Sequence, residues 1–209
     1  MSFDEKTISE LSGRVKARLS EKRFKHTLGV ELSAIRLGEL ILPDQINELR
    51  CAALLHDIAK EYTTDKLIDL IQNNGYVLSD EDMKCVSVLH SFAAPIIIKR
   101  DFPEFATLKI LSATEKHTTG DDGMSVFDEI IFLSDYIEDG REYDDCIEVR
   151  NYFYSNVIEG EYLNNERILH VSSLLSIEKT VNKLKETKRP INARTLKASG
   201  YLKNLIKNQ

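Results

Sequence analysis

Apolar residues recur at helical spacing along almost the whole chain, and residues that break helices are scarce. The 209 residues include only nine glycines and four prolines, and few β-branched residues alternate as they do in strands. The sequence therefore predicts an all-α fold, a compact helical bundle. The predicted helices lie near residues 4–19, 22–41, 44–60, 64–74, 80–100, 104–117, 126–138, 143–156 and 162–187, with a short one near the C-terminus.

Several residues mark where these helices begin and end. Pro43 is suited to opening a helix, and Gly75 is suited to closing one after "IQNN". Ser125 followed by Asp128 resembles a capping box. Pro95 falls inside a helical pattern, so the segment 80–100 is predicted to be kinked or split.

A histidine and an aspartate interrupt the apolar run "CAALLHDIAKEY", which spans residues 51–62. Burying His56 and Asp57 without partners would cost several kcal/mol. On an ideal helix their side chains point about 100° apart. Both can reach one metal ion only if the end of the helix turns toward it, or Asp57 can bridge two metal ions.

Four of the five histidines, and one further aspartate, fall on the apolar faces of their own predicted helices. These residues are His26, His56, His90, His117 and Asp135. Unpaired, they would carry a large total desolvation cost, and a metal centre between facing helices removes it. A ligand set of nitrogen and oxygen atoms with no thiolate favours iron, manganese or a similar cation. The fifth histidine, His170, has no acidic neighbour on the same face of its helix, and we predict that its role is structural and not metal binding.

Charge and cysteine content exclude other classes. The net charge is −6, although residues 183–207 hold eight basic residues and one acid, so the surface as a whole does not favour nucleic acid. Three separated cysteines without a CxxC motif indicate reduced thiols. The N-terminus lacks a signal peptide's apolar core, and no apolar run approaches the roughly 18 residues that span a bilayer. We expect a cytoplasmic protein with no membrane or nucleic-acid partner.

The polar residues also form an ordered pattern. His26, the "HD" pair and Asp135 resemble the signature of the HD-domain metal-dependent phosphohydrolases. The stretches "RFKHTLGV", "AALLHDIAK", "LHSFAAPII" and "HTTGDDGMSVFDEIIFLSDYIEDGRE" are similar to consecutive motifs of the bacterial HD-domain hydrolases that cleave diadenosine tetraphosphate symmetrically. The resemblance covers roughly residues 5–200. It implies an HD domain over residues 1–187 and a basic tail, 188–209, packed on or near the site.

The resemblance also implies a cofactor and roles for individual residues. It implies two divalent or trivalent metal ions, iron or else manganese, and a catalytic role for Asp57, which would bridge the metals or orient the nucleophile. The metal ligands would be His26, His56, Asp57, His90, His117 and Asp135. The nucleotide-binding residues would be Arg23, His26, His90, His117, Thr118, Asp135, Arg141 and Thr195. The partner would be a dinucleoside polyphosphate or ADP, bound by a monomer or homodimer.

The tail departs from the family pattern. In "PINARTLKASG", Asn192, Ala193 and Gly200 replace the family's usual histidine, proline and asparagine, while Thr195 and Ala198 remain. This departure bears on the tail's contact with a nucleotide and leaves the metal ligands untouched.

Three other functions compete with this one. The chain could be another HD nucleotidase or phosphodiesterase, which a substrate panel would separate. It could be a non-catalytic nucleotide-sensing HD protein, which predicts the loss of metal ligands, and none is lost. A basic-tailed RNA-binding module lacks interleaved aromatic and basic residues outside the tail.

Overall fold

Eleven α-helices carry most of residues 3–208, the part of the chain that the computed structural model describes. Short 3-10 turns precede three of them, and no β-strand occurs among these residues. The helices are α1 (Glu5–Lys16), α2 (Glu21–Ile41), α3 (Ile46–Leu55), α4 (Thr64–Asn73), α5 (Asp80–Lys84), α6 (Leu89–Asp101), α7 (Leu108–Lys116), α8 (Val126–Ile137), α9 (Asp144–Asn156), α10 (Tyr162–Glu186) and α11 (Ala193–Asn208). The predicted all-α bundle is confirmed.

Helix α3 lies at the centre of the bundle. Its last five residues, Cys51–Leu55, are fully buried, because this stretch is apolar on every face. Helices α1, α2, α7 and α8 all contact α3, while α6 packs on α7. The end of α3 therefore points into the space between α2 and α8 on one side and α6 and α7 on the other.

The predicted helix ends agree with the structure at two places. Gly75 has φ +81° after α4, and the N–H groups of Gly75 and Tyr76 bond back to the last turn, as in a Schellman motif. Ser125 and Asp128 form the predicted capping box at the start of α8. Residues with a local hydrogen-bonding or conformational role were thus read correctly from sequence.

Other boundaries were wrong. Helix α3 ends at Leu55 instead of reaching residue 60, and α11 is a full 16-residue helix instead of a short one. The segment 80–100 is split at Cys85, whereas α6 continues through Pro95. Pro95 is buried in the bundle, where packing of the surrounding apolar residues outweighs the lost backbone bond.

The C-terminal helix packs against the bundle. Helix α11 lies along α10 and shares a small apolar cluster with α8 and the loop before it. The cluster consists of Met124, Phe132, Ile177, Ala198 and Leu202. Within the described residues no helix is both long and apolar enough to cross a membrane.

Candidate metal centre

Six side chains from five parts of the bundle converge at the end of α3. They are His26 on α2, His56 and Asp57 directly after α3, His90 on α6, His117 directly after α7, and Asp135 on α8. Two triads lie with their donor atoms within 4.8 Å of one another. These triads are His26 with His56 and Asp135, and His56 with Asp57 and His117.

The end of α3 explains how two consecutive residues reach one site. His56 caps the helix and residues 56–60 form turns, so His56 and Asp57 no longer have to point about 100° apart. Both are buried, at 0% and 2% exposure. The helix end that was predicted at residue 60 thus falls at the site itself.

One half of the cluster surrounds one carboxylate oxygen of Asp57. Oδ2 of Asp57 lies 3.5 Å from His56 Nε2 and 3.8 Å from His26 Nε2. Oδ1 of Asp135 lies 2.9 Å from His26 Nε2 and 3.9 Å from His56 Nε2. Two imidazoles and two carboxylates therefore face the same small volume.

The other half surrounds the second oxygen of Asp57. Oδ1 lies 3.3 Å from His90 Nε2 and 3.5 Å from His117 Nε2, and these two nitrogens are 3.2 Å apart. The hydroxyl of Thr118 lies 2.9 Å from His117 Nε2 and 3.1 Å from His90 Nε2. Asp57 consequently sits between two sets of histidines, with one oxygen facing each.

Hydrogen bonds at the far side of three rings determine which nitrogen faces the cluster. His56 Nδ1 donates to the Ala53 carbonyl at 2.6 Å, and His117 Nδ1 donates to the Thr114 carbonyl at 2.8 Å. His26 Nδ1 lies 3.1 Å from a carboxylate oxygen of Glu138. Because Nδ1 of His56 and Nδ1 of His117 each donate to a carbonyl, Nε2 of each neutral ring is left with a lone pair directed at the cluster, as in metal-binding histidines, and His26 would present the same lone pair after losing a proton.

Several atoms at the centre lack hydrogen-bond partners among the described residues. They are His26 Nε2, His56 Nε2 and Asp57 Oδ1, all buried. His26 Nε2 is near Asp135, but the ring is not oriented to donate to it. Buried polar atoms without partners are costly, and a bound cation would satisfy all three. The nitrogen and oxygen donors present therefore fit a divalent metal such as iron or manganese.

The surroundings hold two of these groups in the protonation states that a metal requires. Burial opposes ionisation of Asp57, but the histidine rings around it hold its pKa well below the usual range. Burial lowers the pKa of His90 to about 4. For His26, burial favours the neutral ring, but the carboxylates of Asp135 and Glu138 outweigh it and raise the pKa to about 9. His26 is thus the ring from which a metal would displace a proton.

A cleft of about 740 Å³ opens onto the cluster. His26 lines it, together with five cationic residues, which are Lys22, Arg23, Lys25, Lys60 and Arg141, and three acidic residues, which are Glu138, Asp139 and Glu142. Arg23 donates to Asp57 Oδ2 at 2.8 Å, and Arg141 donates to Asp135 Oδ1 at 2.7 Å. Both predicted arginines therefore reach the carboxylates from the cleft side.

Two residues beside the cluster were missed in the sequence. Glu138 orients His26, and its other oxygen accepts the Gly140 N–H at 2.6 Å. Lys60 Nζ lies 3.0 Å from His90 Nε2 and 3.9 Å from Asp57 Oδ1. Only their positions in the sequence could have indicated these two residues, because Glu138 lies three residues after Asp135 and Lys60 lies three residues after Asp57.

Two residues singled out in the sequence lie outside the cluster. Thr195 is buried in the first turn of α11 and does not line the cleft, so its contact with a nucleotide stays a prediction. His170 is buried on α10, with Nδ1 3.0 Å from Glu129 on α8 and Nε2 3.6 Å from Glu166. The expectation of no acidic neighbour was wrong, because Glu166 lies one turn earlier on the same helix.

Comparisons with known proteins agree with this arrangement. The family model described as HD domain matches residues 23–140. A protein of Halalkalibacterium halodurans named "Bis(5'-nucleosyl)-tetraphosphatase, symmetrical" is 34% identical over 138 residues, which is 65% of this chain and 71% of that protein. A Staphylococcus aureus protein of the same name is 30% identical over 149 residues, covering 71% and 75% of the two chains.

A solved structure shares the whole fold. It is a crystal structure from Clostridium acetobutylicum described as a predicted HD superfamily hydrolase involved in NAD metabolism. The match has a TM-score of 0.81 at 30% identity and covers 98% of this chain and 100% of the other.

Proposed function

This chain belongs to the HD-domain family, and we propose that it is a metal-dependent phosphohydrolase that cleaves diadenosine tetraphosphate symmetrically into two ADP. The observation that carries the proposal is the position of Asp57, which lies between two sets of histidines and pairs with Arg23, a residue that lines the cleft. The names of the similar proteins from H. halodurans and S. aureus support the choice of substrate.

The proposed metal ligands form two sets that share Asp57. His26, His56 and Asp135 would complete one set with Oδ2 of Asp57, and His90 and His117 would complete the other with Oδ1. When bound, divalent metals supply charge that polarises a phosphoryl oxygen and acidifies water. We propose iron, with manganese as the alternative, because both accept mixed imidazole and carboxylate ligands.

The chain's own cations would bind the substrate's phosphates. Arg23 and Arg141 already reach the cluster, and a guanidinium can hold two phosphate oxygens at once. The Thr118 hydroxyl lies at hydrogen-bond distance from His90 and His117 and would be free to donate to a third oxygen once a metal takes their Nε2 lone pairs. Lys60, beside His90, adds a further charge. A polyanion is the ligand class that such a cleft on an otherwise acidic protein would attract.

The positions of these cations are compatible with symmetric cleavage, which the names of the similar proteins suggest. Arg23 contacts Asp57, and Arg141 contacts Asp135. The two guanidinium groups therefore place positive charge beside two different carboxylates of the cluster. Phosphate groups on both sides of the scissile bond could then be held at once. This arrangement favours attack near the middle of a bridging polyphosphate chain, with one nucleoside diphosphate released on each side.

We expect ADP as the sole product from diadenosine tetraphosphate. The measurement is chromatography and mass spectrometry of products formed in water enriched with heavy oxygen, where one label should enter for each bond broken. Protein carrying Asp57→Asn, prepared in parallel, controls for contaminating hydrolases. Equal amounts of ATP and AMP would exclude symmetric cleavage, although a metal-dependent phosphohydrolase would remain.

A substrate panel separates the alternatives. It should contain diadenosine tetraphosphate, NAD, cyclic nucleotides and nucleoside monophosphates, because the C. acetobutylicum protein is described as involved in NAD metabolism. Preferred hydrolysis of a cyclic nucleotide or a monophosphate would indicate a phosphodiesterase or another nucleotidase. Tight nucleotide binding without turnover of any of them would indicate a sensing protein.

We also propose that the chain works in the cytoplasm, as a monomer or homodimer, without nucleic acid. All three cysteines are buried free thiols, which suits a reducing compartment. Arg194 of the basic tail is engaged in ion pairs with acidic residues of the bundle, so this charge is already neutralised.

A further inference from the structure

Arg194, in the first turn of α11, contacts residues in four separate parts of the bundle. Its guanidinium donates to Glu115 at 2.8 Å and to the Tyr76 hydroxyl at 3.0 Å, and its Nε lies 3.6 Å from Asp121. The same group lies over the Phe92 ring, 4.5 Å from its centre. Tyr76 in turn stacks on Phe92 and donates to Glu115. One side chain therefore connects α11 to the loop after α4, to α6, to α7 and to the loop after α7.

Two of these contacts lie close to the candidate metal ligands. Phe92 follows His90 by two residues on α6, and Glu115 precedes His117 by two residues at the end of α7. The Nε2 atoms of His90 and His117 are 3.2 Å apart, although the two residues are 27 positions apart in the sequence. Arg194 thus links α6 to the end of α7. The spacing of these two segments sets the distance between the His90 and His117 rings.

The position of Arg194 is itself determined by its neighbours. The buried Asn192 accepts the Arg194 N–H at 3.0 Å and donates to Asp82 at 2.9 Å. Further along α11, Ala198 lies directly against Gly120, which has φ +63°. Asn192 replaces the histidine that is usual in the family, and its hydrogen bonds still hold the start of α11 in place. Arg194 is therefore directed at α6 and α7.

We propose that Arg194 is a positioning residue that holds His90 and His117 at the spacing their metal requires. It acts through Phe92, Glu115 and Asp121, and it touches no reacting atom. A residue that only fastened the tail would affect the melting temperature and leave metal binding unchanged. The inference rests on the proposed metal centre and adds a role for the C-terminal helix.

The test is the rate at which purified, metal-loaded protein loses metal to a chelator well below its melting temperature. We expect Arg194→Ala to lose metal about tenfold faster than wild type, the lower end of the loss in affinity seen when direct partners of metal ligands are removed, because Arg194 acts on the ligands indirectly. Arg194→Lys keeps the positive charge but loses the planar guanidinium that contacts several partners at once, so this variant should lose metal at an intermediate rate. Arg189→Ala is the matched control, since Arg189 is an exposed tail residue whose side chain makes no polar contact within residues 3–208.

Each contrary result has a distinct meaning. A folded Arg194→Ala protein that loses metal at the wild-type rate would overturn the positioning role. A wild-type protein that binds no metal would instead overturn the proposed function. If Arg194→Ala does not fold, Glu115→Gln decides, because it weakens the same link and keeps the shape of the side chain. Loss of metal at the wild-type rate in Glu115→Gln would then refute the inference.

Discussion

Replacing Asp57 with alanine should abolish stable metal binding and almost all turnover. Its two oxygens face different histidine pairs, so the substitution removes a donor from both proposed sets at once. Charge stabilisation by bound metals is worth several kcal/mol, and a loss of about 4 kcal/mol corresponds to a roughly 10³-fold slower reaction. Metal analysis and steady-state kinetics on diadenosine tetraphosphate measure the two effects, and His56→Ala should behave similarly.

The matched control for this prediction is His170→Ala. His170 is also a buried histidine beside carboxylates, but it lies on α10, in an ion pair with Glu129 outside the cluster. This variant should keep its metal, although breaking a buried pair can cost about 3 kcal/mol of folding free energy. Full metal content and turnover in Asp57→Ala would refute the central claim. Metal loss in His170→Ala would mean that the site is larger than the six residues assigned to it.

Removing Arg23 and Arg141 together should lower kcat/KM about a hundredfold while the metal stays bound. A hydrogen bond to a charged group is worth about 1.5–3 kcal/mol, or roughly tenfold and more for each arginine. The hundredfold is the product of two tenfold losses; because Asp57 and Asp135 both face His26, the double variant also measures any coupling between the two arginines. The measurement is kcat/KM for each single alanine variant and for the double variant, with metal content determined on the same samples.

Arg167→Ala provides the control for the arginine variants, because Arg167 is exposed on α10 and does not line the cleft. Its catalytic efficiency should equal that of wild type. An unchanged efficiency in the double variant would assign Arg23 and Arg141 to the protein surface. A loss of metal in parallel with activity would show that they support the carboxylates instead of the substrate.

The sequence predicted which side chains point inward, but not where they meet. Helical periodicity placed His26 and Asp135 on apolar faces, and this information is local, since it depends on residues within two turns. The predicted helix 80–100 was wrong just before His90: Val86 lies in a separate 3-10 turn and is 46% exposed. Convergence of five chain segments depends on helix packing, which periodicity does not encode.

The end of α3 shows most clearly what sequence patterns leave open. Nothing between Leu55 and Lys60 is a glycine or a proline, so the apolar pattern predicts that the helix continues. In the structure the helix stops at His56, where the side chain satisfies the Ala53 carbonyl through Nδ1. Because this bond depends on a ring held in place by its tertiary surroundings, it leaves no mark in the local sequence. Glu138 was missed for the same reason.

Gly29 has a consequence for how substitutions in this chain should be interpreted. A Cβ at this position would come too close to Oε2 of Glu138, so the carboxylate that orients His26 would have to shift away from its bond with the Gly140 N–H. Gly29→Ala should therefore reduce activity, whereas Gly13→Ala, which meets open space on α1, should be neutral or stabilising by about 0.5–1 kcal/mol. Activity and melting temperature of the two variants test this, and full activity in Gly29→Ala would contradict it. In a deep mutational scan, a residue with no functional group would score like an active-site residue.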